Sequence, residues 1–142
     1  VTRARRGTSR ALAWLALLVP LAASAQAPLP FGDAPVRLEA EHVVATALGP
    51  LPDAVPIAPG RLSARSVGRR RAIAMLHAWL DGVLRASAAT PLRVRDLHDA
   101  IDRHADLRRV RSRSDGSAVV ELVVPLSALR ALGCDGGLPW CD

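Results

Sequence analysis

Between Leu62 and Ala88 the apolar residues Ile73, Leu76, Leu80, Val83 and Leu84 recur at helical spacing, and this stripe constrains the fold more than any other feature of the chain. At about 100° per residue these side chains line one side of an α-helix. Ala72 and Trp79 widen the stripe, while Arg70, His77, Asp81 and Arg85 fall on the opposite side. A helix with a single apolar face must bury it against another layer. Gly82, inside the helix, costs about 1 kcal/mol relative to alanine, which points to close packing at that position. Arg65, Arg69, Arg70 and Arg71 occupy the expected first turns, where the helix dipole disfavours positive charge.

The partner layer is read from period-two segments. Val36 to Ala47 opens with Val36, Leu38 and Ala40 on one side and Arg37, Glu39 and Glu41 on the other, the pattern of a half-buried strand. Gly49 to Gly60 holds four prolines and reads as an extended connection. A second helix is predicted from Arg93 to Ala105, opened by Thr90 and Pro91 as cap and first-turn proline, with Val94, Leu97 and Ile101 facing the core. Asp99 and Arg103 form an i,i+4 pair on its solvent side. A hairpin follows, Leu107 to Ser114 and Ser117 to Val124.

The hairpin's register follows from its side chains. A two-residue turn would place Arg109, Arg111 and Arg113 on the face of Val120, Leu122 and Val124. A three-residue loop, Ser114-Asp115-Gly116 with Gly116 left-handed, instead aligns Val110 with Val120 and Arg109 with Glu121. The apolar run Ala118 to Val124 predicts a strand with neighbours on both sides. Pro125 ends it, and Ser127 to Leu132 makes a short helix. The expected architecture is one α+β domain over residues 36–132, with two helices packed on one face of a small, largely antiparallel sheet.

Upstream, Arg3, Arg5, Arg6 and Arg10 precede the apolar run Ala11 to Ala23, the order of a secretory signal peptide. The run is shorter than the ~18 to 20 residues that cross a bilayer, and Pro20 breaks it, so no stable membrane anchor is expected. Ala23-Ser24-Ala25 offers a cleavage site after Ala25. Residues 26–35, rich in proline, read as a flexible lead-in. Four of the nineteen basic residues leave with residues 1–25 and all thirteen acidic residues stay, so the net charge falls from +6 to +2. That modest charge, with only Phe31, Trp79 and Trp140 for stacking, argues against nucleic acid as a partner. Cys134 and Cys141 lie in a Gly-rich tail, residues 133–142. Export to an oxidising compartment, periplasmic or secreted, predicts that they form a disulfide.

Histidines and serines carry no specific motif. His98 and His104 stand six residues apart on a helix, about 120° around it, so with Asp99, Asp102 and Asp106 they form no converging metal set. His42 and His77 read as isolated. No serine is marked as a nucleophile, and a small hydrolase would need a pocket joining His98 or His104 to one. The chain is therefore expected to be non-catalytic, with no cofactor and no metal. Arg109, Arg111 and Arg113 alternate along one strand face and are the candidate anion-binding residues; the competing reading is a solvated face balanced by Glu121.

Taken together, the early strand, the Gly-Pro connections, the helix RLSARSVGRRRAIAMLHAWLDGVL and the segment DGSAVVELVVPLSAL resemble the LPP-twenty-like small envelope lipoprotein family and the related N-terminal domain of flagellar assembly protein T. The matching positions are Arg69, Arg71, Ala72 and Ala78 in the helix, with Asp115, Gly116, Val123, Val124, Pro125 and Leu126 in the hairpin. The likeness spans about Val36 to Leu132, and the chain departs from it by lacking a lipobox cysteine and by carrying the terminal cysteine pair. The resemblance implies a compact α+β layer and a non-catalytic, envelope-associated binding or assembly module, and it carries over no active-site residue. An unidentified envelope protein or an anionic envelope polymer is the expected partner.

Overall fold

The computed structural model describes residues 35–85, 91–134 and 138–141. The expected signal peptide with its cut after Ala25, the lead-in up to Ala34 and the Thr90 cap lie outside them. The elements run β1 (Val36–Leu38), β2 (His42–Gly49), α1 (Ile57–Arg85), α2 (Pro91–His104), β3 (Asp106–Ser112), β4 (Ala118–Pro125) and α3 (Leu126–Arg130). The four strands form one antiparallel sheet in the order β1-β2-β4-β3. The architecture is α+β, with α1 and α2 contributing to a core on one face of the sheet.

Two boundaries differ from the sequence reading. The single strand expected from Val36 to Ala47 is a hairpin, closed by the Glu39 N–H donating to the His42 carbonyl at 2.7 Å. Its cause is visible in the chain: the residues that pack on the helix-side core are even-numbered at Val36 and odd-numbered at Val43, Ala45 and Ala47, and a straight strand cannot change phase. Helix α1 begins at Ile57 rather than Leu62, because Pro59 falls in the first turn, where a missing N–H costs nothing. Arg65, Arg69, Arg70 and Arg71 therefore lie two or more turns inside the helix. The conflict with the dipole disappears, since that effect is confined to the terminal turn.

The buried residues of α1 are Gly60, Ala64, Gly68, Ala72, Leu76, Leu80 and Leu84. This spacing of four drifts about 40° per step around a 3.6-residue helix, so the contact line winds from one half of α1 to the other. In the first half the line is made of glycine and alanine, and the backbones nearly touch. A Cβ on Gly49 of β2 would land on the Ala64 carbonyl and 2.6 Å from the Gly68 nitrogen; one on Gly68 would lie 2.7 Å from Val120 Cγ2. In the second half Leu76, Leu80 and Leu84 fill a deeper core with Leu97 and Ile101 of α2 and Leu122 and Val124 of β4. Each such buried side chain contributes about 2 kcal/mol. Gly82 is not a packing glycine: a Cβ there would meet nothing within 4 Å.

The β3–β4 hairpin has the predicted register, Arg109 opposite Glu121 and Val110 opposite Val120. The Arg113 N–H donates to the Ser117 carbonyl at 2.8 Å, and Gly116 sits at φ +83°, so the loop is Ser114-Asp115-Gly116. Strand β4 lies between β2 and β3, which accounts for its continuous apolar run. The chain's end is more than a tail. Cys134 and Cys141 are disulfide-bonded with Cα atoms 5.3 Å apart, and Leu138 and Trp140 are buried in the main core. No helix among the described residues is long and apolar enough to cross a membrane.

Candidate functional site

Strand alternation sends Val43, Ala45, Ala47, Val120, Leu122 and Val124 toward the helices. It sends Arg37, Val44, Thr46, Val119 and Glu121 to the sheet's other face. Charged side chains cross that second face as a closed ring. The Arg37 guanidinium donates to Glu121 Oε2 at 2.9 Å and to Glu39 Oε1 at 3.1 Å. Arg108 donates to Glu39 Oε2 at 2.9 Å and lies 3.5 Å from Glu121 Oε1. Two carboxylates and two guanidinium groups thus alternate, linking β1 and its turn to β4 and β3. Arg37 reaches Thr46 Oγ1 as well, at 3.4 Å.

Burial makes the members of the ring unequal. The Glu121 side chain is 4% exposed, Arg37 27% and Arg108 46%. Hydrogen bonding to Glu121, ahead of the opposing effect of burial, raises the Arg37 guanidinium above its ordinary value. The Arg108 hydrogen bond is the chief cause holding the Glu39 carboxyl below its ordinary value. The sequence reading missed Arg37 and Arg108 as partners of Glu121. Arg37 and Glu39 were legible as the polar side of a strand, but not the pairing of β2 with β4 that brings Glu121 within reach. Arg108 joins because the register shifts between Leu107 and Arg109, an irregularity that the period-two pattern does not announce.

The candidate anion-binding arginines are spread along β3. Arg109 and Arg111 stand opposite Glu121 and Val119, while Arg113 belongs to the mouth of the hairpin. On the helix side of the same strand, Leu107 joins Leu62, Arg65, Ser66 and Arg69 of α1 around a groove of about 220 Å³. Leu62 is 73% exposed there and Leu107 36%. The candidate surface is therefore the margin of β3, with arginines above it and a groove of mixed leucine and arginine below.

A second cluster joins the helices. His77 and Asp81 of α1 stand one turn apart, as do His98 and Asp102 of α2, and the pairs cross. His98 Nε2 lies 2.7 Å from Asp81 Oδ1, His77 Nε2 lies 2.9 Å from Asp102 Oδ1, and the imidazole centroids are 4.5 Å apart. His77, read as isolated, is one of a stacked pair, because both helices present a His-x-x-x-Asp step to their shared seam. The hollows beside this quartet are lined by Asp81, Leu84, Arg85 and Val94 and by Asp99, Asp102 and Arg103, with no serine. Among the described residues no three His, Cys, Asp or Glu side chains are grouped as a metal site. Compared with family models, curated proteins and solved structures, the chain matches none of them.

Proposed function

We propose that this chain is an exported, non-catalytic binding or assembly module of the bacterial envelope that works through the margin of β3. The observation that carries the reading is the placement of Arg109 and Arg111 on the sheet face away from the helices, beside a groove that leaves Leu62 and Leu107 exposed. Adjoining exposed apolar side chains rimmed by polar ones mark interaction surfaces, and arginine is enriched at them. The disulfide supports an oxidising location, and the resemblance to small envelope lipoproteins supports a structural rather than chemical role.

Two measurements test this reading. Intact-mass analysis of protein recovered from the periplasm, with and without reduction, should show a chain beginning at Gln26 and two hydrogens short of its reduced mass. A retained N-terminus with two free thiols would overturn export. A photo-crosslinker placed in turn at Leu62, Ser112, Asp99 and Ser127 in the exporting cell should give adducts at the first two positions and none at the others. Adducts at none of the four would overturn the module reading. The arginine row favours a second reading, direct binding of an anionic envelope polymer. In that case Gln at positions 109, 111 and 113 abolishes polymer binding while stability stays nearly unchanged.

A further inference from the structure

We propose that the outer edge of β3, together with the groove between β3 and α1, takes up an extended acidic segment of another polypeptide as a fifth strand. This rests on the binding-module reading and names the chemistry of its partner.

The sheet order leaves β1 and β3 as edges among the described residues. Strand β1 has three residues and β3 has seven, so only β3 is long enough to template a strand. The hydrogen bond from the Arg113 N–H to the Ser117 carbonyl sets the ladder's phase. In an antiparallel pair the bonded and non-bonded positions alternate, so Arg111 and Arg109 turn their backbone groups to β4, and Ser112 and Val110 turn theirs outward. Those outward groups are what an added strand would pair with.

Edge strands are commonly protected by charge and by irregular register, and β3 has both, with Arg108, Arg109 and Arg111 and the shift at Leu107. These devices act against a like strand. A second copy would lay one arginine row beside another, which opposes pairing. An acidic strand meets the opposite situation. The strand and the groove beside it carry Arg65, Arg69, Arg108, Arg109, Arg111 and Arg113, against the carboxylates Glu39, Asp106, Asp115 and Glu121, so the margin has a net positive charge that favours an incoming anion.

The two faces of an added strand would meet different surroundings. Residues pointing to the helix side would enter the groove, apolar against Leu62, Leu107 and the methylene stems of Arg65 and Arg69. Residues pointing the other way would lie beside Arg109 and Arg111. The matching segment therefore alternates apolar and acidic residues.

The test is fluorescence anisotropy with the purified chain and the labelled peptide Glu-Val-Asp-Leu-Asp-Val-Glu, repeated with polyphosphate as competitor. Strand addition predicts saturable binding. It also predicts that N-methylation of one alternate set of peptide N–H groups abolishes binding while methylation of the other set is tolerated. Ser112→Pro removes an outward N–H without breaking the β3–β4 ladder and should weaken binding about tenfold. Leu62→Asp changes a side chain exposed on α1, leaves the fold intact and should weaken binding as well. Binding that ignores both methylation patterns and Ser112→Pro, and that polyphosphate displaces, would overturn strand addition in favour of polymer binding. A dimer that Ser112→Pro dissociates would overturn it in favour of a second copy. Failure of the peptide to bind, with adducts still forming at Leu62 and Ser112 in the cell, would sink this proposal and leave the module reading standing.

Discussion

The Arg37 guanidinium meets the Glu121 carboxylate at 2.9 Å, and only the arginine of the two has ready access to water. That asymmetry sets the cost of breaking the ring. Glu121→Gln removes a charge whose former partners, Arg37 and Arg108, can turn to solvent, and should cost about 1 kcal/mol. Replacing both Arg37 and Arg108 by Gln strips a buried carboxylate of its two partners in the ring and should cost about 3 kcal/mol. Urea unfolding at neutral pH measures both. Equal losses would mean that Glu121 is not held in a site of restricted hydration.

Glycines at two places on α1 and β2 should respond with opposite signs. Gly49→Ala forces a methyl into the backbone of Ala64 and Gly68, which can move only by lifting α1 from the sheet. A loss of about 3 kcal/mol is expected. Gly82→Ala fills open space on a helix and lowers the entropy of the unfolded chain, so it should stabilise by about 1 kcal/mol. Thermal unfolding of the two variants should move the midpoint down and up respectively.

These two sites also show what the sequence could and could not say. The hairpin register was legible because a one-residue slip would have exchanged Val110 for its neighbouring arginines, and burial tolerates only one choice. Leu76, Leu80 and Leu84 were legible because large apolar side chains mark a buried face wherever they recur. Gly60, Ala64 and Gly68 continue the same line but carry no hydropathy signal, so the apolar pattern starts late and points to Gly82 for the close contact. The ring at Glu121 depends on three strands distant in sequence, and the crossed histidines on the rotation of two helices about their axes. Neither follows from spacing within one element.

Acid should loosen the molecule through two carboxyl groups whose folded values lie below their ordinary ones. Glu39 is lowered from 4.5, chiefly by the Arg108 hydrogen bond, and Asp115 from 3.8, chiefly by the Ser117 hydroxyl, which donates to its Oδ1 at 2.6 Å. A depressed carboxyl value contributes stability that is complete above the unfolded value and is lost as pH falls through the folded one. Urea midpoints should therefore be insensitive to these two groups above pH 4.5 and decline below it. The decline should be shallower in a Glu39→Gln, Asp115→Asn double variant. An identical acid profile in that variant would assign the loss to other groups.

Trp140 stands between the disulfide and the core, so its packing reports whether opening the bridge disturbs the native state or only the unfolded chain. Its side chain is fully buried, its ring centroid lies 5.9 Å from that of Trp79, and its carbonyl accepts a 2.6 Å hydrogen bond from Arg130 Nε. The residue before Cys141 cannot leave this site without giving up both contacts. In the chain-entropy account, opening so short a loop costs roughly 2.5 kcal/mol. A Cys134→Ser, Cys141→Ser variant should lose about that much in urea unfolding. If the bridge only restrains the unfolded chain, Trp140 stays packed, and acrylamide quenching in native buffer is the same as in the parent. If the bridge also holds the tail against α1, quenching rises before global unfolding begins. The buried environment of Trp140 and its Arg130 bond favour the first outcome. A rise in quenching at low urea, with the sheet still intact by circular dichroism, would show that residues 138–141 open as a unit of their own.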